Sequence, residues 1–426
     1  MNKSQLASQW DNLVTSIDQH GYTVSLNDPK VTQPSKTVFV EDKDPFAMKF
    51  YEKDTQVYDT DFSLQIIPNK PDERTVQKHR DTPGIVAAVL INNEEGVRAT
   101  PYTYLGEGYT ELDVAASYFH ILGLLKTGRL EQAKQLAGNI TYMVGHVHSL
   151  KATNRIYHQH VRALPLYSAM IRAISGALPQ EDRPAFLKIH IVRSILDYFR
   201  NWHASDSQLV DGLNIYPKID VDQNTLSFHI PPEHTIPVRL NMMLYNTEMD
   251  IAHFLENYVA GGTLTVEDVV YDAAYWKERG HKRLEKMWSV LWNKETETFN
   301  DYDISAGRHT HLDRADFIYA LWADAISDTQ FHGVKAQISK HTNAYGLLYD
   351  LGSTTGQAPE QIISWIGLEK QGLVEAAQDL REKWQRMVLE EYNDKGVLAL
   401  RYDMETGIHK KSYGTLYGWT LASLFL

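Results

Sequence analysis

The sequence predicts a mainly α fold in which paired antiparallel helices close into an (α/α)6 toroid, preceded by a loop- and strand-rich arm. Two observations predict it. Beyond Glu111, apolar residues recur at three- and four-residue steps in one segment after another. Those segments share no fixed period of about 34 to 45 residues, as a helical solenoid would require. A ring of helix pairs is the layer solution that buries so many one-sided helices at this length.

The arm comes first, at residues 1–110. Its β-prone runs Lys36-Thr37-Val38-Phe39-Val40, Phe62-Ser63-Leu64-Gln65-Ile66-Ile67 and Ile85-Val86-Ala87-Ala88-Val89-Leu90-Ile91 alternate with Asp, Asn, Pro and Lys clusters. The helical body is expected to fill residues 111–426. Its first helix carries Leu112, Ala115, Ala116, Phe119, Leu122 and Leu125 on one face and stops at Thr127-Gly128. Further helices are expected from Leu130 to Val144, Leu164 to Ser175, Pro184 to Trp202, Leu240 to Tyr258, Val266 to Trp292, Asp313 to Ala325, Ala358 to Lys370, Val374 to Glu391 and Thr415 to Leu426.

Composition narrows the function. A 43% apolar share supports a large core. Net charge of −12 opposes nonspecific binding to nucleic acid or anionic membranes. With no cysteine, disulfides, thiolate catalysis and Cys-ligated zinc are excluded. Met1 to Gln19 has no apolar core segment of a signal peptide, and no run of about eighteen apolar residues occurs. A cytoplasmic protein is the simplest reading. Leu105-Gly106-Glu107-Gly108-Tyr109 lacks the Lys-Ser/Thr of a phosphate-cradling loop and reads as a turn.

Specific motifs carry a resemblance. Asp211-Gly212-Leu213-Asn214-Ile215-Tyr216-Pro217-Lys218-Ile219-Asp220, followed by Ile236-Pro237-Val238-Arg239-Leu240-Asn241, is similar to a segment of the trehalases and family 63 glycoside hydrolases. There the run reads roughly Ser-Gly-x-Asp-Asn-Ser-Pro-Arg-x-Asp, then a Val-Asp-Leu-Asn helix start. Ser117-Tyr118-Phe119, Gly145-His146-Val147-His148, Asn154-Arg155-Ile156-Tyr157, Phe299-Asn300-Asp301-Tyr302-Asp303 and Arg401-Tyr402-Asp403-Met404-Glu405-Thr406-Gly407 resemble further segments of that family in the same order. The resemblance implies the toroid over residues 111–426 and a small sugar, glycoside or polyol as ligand.

The departures fall on chemistry. Asn214 stands where the family has its catalytic acid, and an amide cannot deliver a proton to a leaving oxygen. Leu400 falls at the family's general base, and Ala115-Ala116 replaces its sugar-contacting Trp-Asp. A shifted alignment would restore an acid from Asp211, Asp220 or Asp222 and a base from Asp403 or Glu405. Replacement chemistry would instead use Glu360, with His158 or His160 for proton transfer, as in a sugar isomerase or lyase. A noncatalytic carbohydrate-binding or assembly protein is the third reading.

The resemblance implies substrate contacts from Asn154, Arg155, Tyr157, Asn214, Tyr216, Trp365 and Trp419, with Asn214 on a loop at the pocket mouth. The alternating pairs His146-x-His148 and His158-x-His160 lack the companions of a zinc site, so neither metal nor cofactor is expected. No oligomeric state follows from these patterns, and a homo-oligomer is compatible with them.

Overall fold

The computed structural model describes residues 3–16, 24, 26–30, 37–58, 63–68, 73–79, 84–86, 89–92, 96–146, 150–203, 209–210, 212–217, 226–310 and 313–426. The chain divides into two compact units, one of residues 1–204 and 219–229, the other of 205–218 and 230–426.

In the first unit, strands Thr37–Glu41 (β1), Ser63–Ile67 (β2) and Ile85–Val86 (β3) form a parallel sheet in the order β2-β1-β3. Parallel pairing requires crossovers, and helices Pro45–Tyr58 (α1) and Glu73–Lys78 (α2) supply them. Neither crossover helix was among the expected elements. Central β1 is buried at all five positions, so it shows no polar alternation.

Four long helices follow in this unit: Val114–Lys126 (α3), Leu130–His146 (α4), Tyr167–Ala177 (α5) and Arg183–Trp202 (α6). Asp113 caps α3 by accepting from the Ala116 N–H at 2.8 Å. Gly128, at φ 75°, lets the chain turn back after that helix. The amino-terminal segment packs on these helices through buried Trp10, edge-on to His120 at 5.8 Å, and through Asp11, which pairs with Arg129.

The second unit is built on Val238–Tyr258 (α7), Ala273–Val290 (α8), Phe317–Trp322 (α9), Asp328–His341 (α10), Ala358–Lys370 (α11), Val374–Lys395 (α12) and Gly418–Ser423 (α13). Helix α7 packs on α8 and α9, while α11 packs on α9, α12 and α13. The contact of α9 with α11 is close, because a Cβ at Gly367 would lie 2.7 Å from the Leu321 Cβ and 2.8 Å from the Trp322 backbone nitrogen.

The helices expected at Val266 to Trp292, Asp313 to Ala325 and Thr415 to Leu426 are shorter in the structure, and one further helix is additional. Residues Val266 to Asp272 belong to a hairpin of Thr263–Val266 (β4) and Val269–Asp272 (β5). Its turn is made by Glu267 and Asp268 at φ 47° and 65°, so the helix begins only at Ala273. Helix α9 is half the length expected. Helix α10 was not expected; Ser327 and Gln330 form a capping box at its start.

Candidate functional site

Within the second unit, the first turns of α7 and α11 and the residue that opens α9 bring their side chains into one polar cluster. Arg239 is the second residue of α7, Asp316 immediately precedes α9, and Glu360 is the third residue of α11. Asp301, beside a short strand at Tyr302–Asp303, accepts from the Val238 N–H at 2.7 Å. Asp316 accepts from the Tyr349 hydroxyl at 2.5 Å. Tyr319 is hydrogen-bonded to Arg239.

Burial governs the charges here. Asp301 is pushed up to about 8 by loss of water and by the charge of Asp316, more than its bond to Val238 and the fields of Arg239 and Arg314 can offset. Burial also raises Asp316, although Tyr349, Arg314 and Arg239 oppose it. Glu360 is raised by burial against its own backbone N–H, Arg239 and Arg401. As a residue Glu360 is only partly covered, yet its Oε2 is fully buried and meets no hydrogen-bond donor. Burial disfavours the Arg239 guanidinium, but Tyr319, Tyr216, Tyr349 and Asp316 outweigh that cost and hold it protonated. The cluster therefore offers a protonated carboxyl, a buried acceptor and a fixed cation, the parts needed to bind hydroxyls or move a proton.

Leu400 is 7% exposed and immediately precedes Arg401. The charge of Arg401 acts on the Glu360 carboxyl.

Asn214 is in the same unit but differently occupied. It sits in a two-residue strand, fully buried rather than on an exposed loop. Its backbone N–H and carbonyl bond to the Asn241 side chain, both at 2.9 Å. Its Oδ1 accepts from Arg283 Nη1 at 3.1 Å, and Arg283 is in turn paired with buried Glu248 at 2.9 Å.

Asn154, Arg155 and Tyr157 lie in the first unit, in a buried network. Asn154 Oδ1 accepts from the Leu112 N–H at 2.9 Å. Arg155 lies 3.3 Å from Asp28 and 3.5 Å from Glu111, and Lys30 reaches Glu111 at 3.0 Å. The Tyr157 hydroxyl donates to Asp28 at 2.5 Å. Burial weighs against ionised Asp28, but Arg155, Lys30 and the phenol outweigh it and hold its pKa below the usual range. His158 bonds Thr153 at 2.8 Å and is held neutral by burial, then by nearby Lys30 and His160.

Of the residues singled out from sequence, Glu360 and Tyr216 meet around Arg239. Trp365 is fully buried with the Arg381 guanidinium over its ring at 5.6 Å, and Trp419 is 2% exposed. His158 and His160 belong to the first unit and Glu360 to the second. Asp211, Asp220, Asp222, His148 and the side chain of His146 lie outside the described residues. Sequence reasoning passed over Arg239, Asp301, Asp316, Tyr319 and Tyr349. The one available signal was the change of charge from Val-Asp-Leu-Asn to Val238-Arg239-Leu240-Asn241.

The trehalase family model matches residues 1–217 and 218–424. The chain is 22% identical to the cytosolic neutral trehalase of Emericella nidulans, over 96% of this chain and 67% of that protein. With the cytosolic neutral trehalase of Saccharomyces cerevisiae the identity is 21%, over 96% and 66%. It thus spans about two thirds of the length of these curated relatives. Among solved structures, neutral trehalase Nth1 from Saccharomyces cerevisiae has the same fold, with TM-score 0.85 and 21% identity over 99% of this chain and 93% of that one. A family 63 mannosylglycerate hydrolase from Thermus thermophilus matches with TM-score 0.55 and 11% identity over 76% and 95%.

Proposed function

Because the chain belongs to the trehalase family, we propose that it is a glycoside hydrolase-like protein that binds a small glycoside or polyol, with the acid–base pair of its relatives replaced. The observation that carries this reading is Asn214. Its amide oxygen is engaged by Arg283, its backbone by Asn241, and the residue is closed off from solvent. No proton is available there for a leaving group, and Leu400 cannot activate water. A cytoplasmic location fits the cytosolic relatives, and among the described residues no helix is long and apolar enough to cross a membrane.

The test is calorimetric titration of the whole chain with trehalose, glucose, sugar acids and polyols, with product formation followed separately. Binding without release of glucose from trehalose is expected. Sustained trehalose hydrolysis by the unaltered chain would overturn the reading.

One observation favours a second reading, an enzyme of altered chemistry. The Glu360 carboxyl has a buried, unpartnered oxygen and a pKa raised by burial. Those properties suit a general acid or base. Product formation from any ligand in the titration, lost in Glu360→Gln, would select it.

A further inference from the structure

The buried network of the first unit bears on how a ligand reaches Arg155 and Tyr157. The inference rests on the polyol-binding reading above and on the ligand contacts that the resemblance implies for those two residues. Residues 27–30 already engage both. Asp28 accepts from the Tyr157 hydroxyl at 2.5 Å and lies 3.3 Å from Arg155 Nε. The Asn27 carbonyl accepts from Arg155 Nη2 at 3.1 Å and from the Thr110 hydroxyl. Lys30 Nζ donates to the Gly108 carbonyl and to Glu111, both at 3.0 Å.

Two features set this segment apart from a plain buried clamp. Its side chains alternate: those of Asp28 and Lys30 are 0% and 3% exposed, while Asn27 and Pro29 face solvent, so the segment lies at the surface and reaches inward. Its charges also divide evenly. Asp28 and Lys30, 3.1 Å apart, are neutral as a pair, and so are Arg155 and Glu111, 3.5 Å apart. Withdrawal of the segment therefore strands no unpaired charge, the main penalty of breaking a buried ion network. Glu111 Oε1 is buried and has no donor among the described residues, which leaves an acceptor for a hydroxyl beside Arg155.

We propose that residues 27–30 are a built-in occupant of these ligand contacts: Asp28 stands on Arg155 and Tyr157 where ligand hydroxyls would, and a polyol binds there as the segment withdraws. The guanidinium and phenol that donate to a carboxylate also suit a hydroxyl oxygen. Polyol and segment then compete for the same donors, which lowers apparent affinity by the fraction of chains in which the segment is withdrawn.

Asp28→Ala combined with Lys30→Ala removes the segment's pair together and leaves Arg155 facing Glu111. In calorimetric titration this variant should bind glucose roughly tenfold or more tightly than the unaltered chain, although its urea midpoint falls. A segment that only clamps the fold predicts lower stability with equal or weaker binding. That result in a folded variant would overturn the inference and leave polyol binding intact. Should the variant fail to fold, amide hydrogen exchange of the unaltered chain decides. Saturating glucose should speed exchange in a peptide covering residues 27–30, and unchanged or slower exchange there would overturn the inference. Absence of glucose and polyol binding in every folded form would overturn both readings.

Discussion

Arg283 Nη1 donates to Asn214 Oδ1 at 3.1 Å while its Nε reaches Glu248 at 3.0 Å. An acid restored at this position would therefore meet a cation, which favours the ionised carboxylate. Asn214→Asp is expected to release no measurable glucose from trehalose, since the general acid would be deprotonated and Leu400 would still leave the base position empty. A coupled glucose assay checks this, and robust hydrolysis by the single variant would refute it.

Glu360→Gln replaces a carboxyl by an amide of the same size, so the fold should persist. Any turnover that the chain displays should fall by roughly 10²-fold or more, the scale of lost general acid–base assistance. Unchanged turnover, with circular dichroism showing an intact protein, would remove Glu360 from the chemistry.

Asp301 makes stability depend on pH. Its folded pKa of about 8 lies above the unfolded carboxylate value of roughly 4, so between those limits the folded chain keeps a proton that the unfolded chain has lost. Its contribution is thus present at acid pH and is lost as pH rises to about 8. Asp301→Asn keeps an acceptor for the Val238 N–H and removes this titration. The variant should melt at a higher temperature than the parent at pH 8, with the difference closing at pH 4. An equal difference at both values would sink the assignment.

Much of the helical pattern was legible because local signals agreed. Ala358–Lys370 has the predicted bounds, with Pro359 in its first turn and apolar residues on the packed face. Val266, Val269 and Val270 imitate helical spacing, and only the left-handed backbone of Glu267 and Asp268 makes them a hairpin. Glu267 carries no sequence mark of that conformation, and Asp268 only the general tolerance of aspartate for it. Helix α10 was missed because its apolar residues are sparse and Gly333 lies in its middle, where a Cβ would strike the Glu297 carbonyl. The site was less legible. Glu360 could be singled out by its place at a helix start, but its neighbours Arg239 and Tyr319 lie far away in the chain and meet it only through packing. The same limit explains Arg155, whose partners Asp28 and Glu111 identify a buried ion network that the local motif does not reveal.

That network predicts a large stability loss. Arg155→Met removes the guanidinium shared by Asp28 and Glu111 and leaves Lys30 to serve both carboxylates. The expected cost is about 3–5 kcal/mol, that of breaking a buried ion pair. It should appear as a lower urea midpoint, and an unchanged midpoint would show that the pair contributes little.

The bare contact at Gly367 has a mechanical meaning. With Leu321 and Trp322 seated against its backbone, α9 and α11 have no cushion of long side chains that could change rotamer and let one helix slide along the other. The starts of these helices, which carry Asp316 and Glu360, are thereby held at a fixed axial offset. Adjustment to ligands of different size must then come from rotation of side chains such as Arg401, or from the loops, instead of from a shear between these two helices.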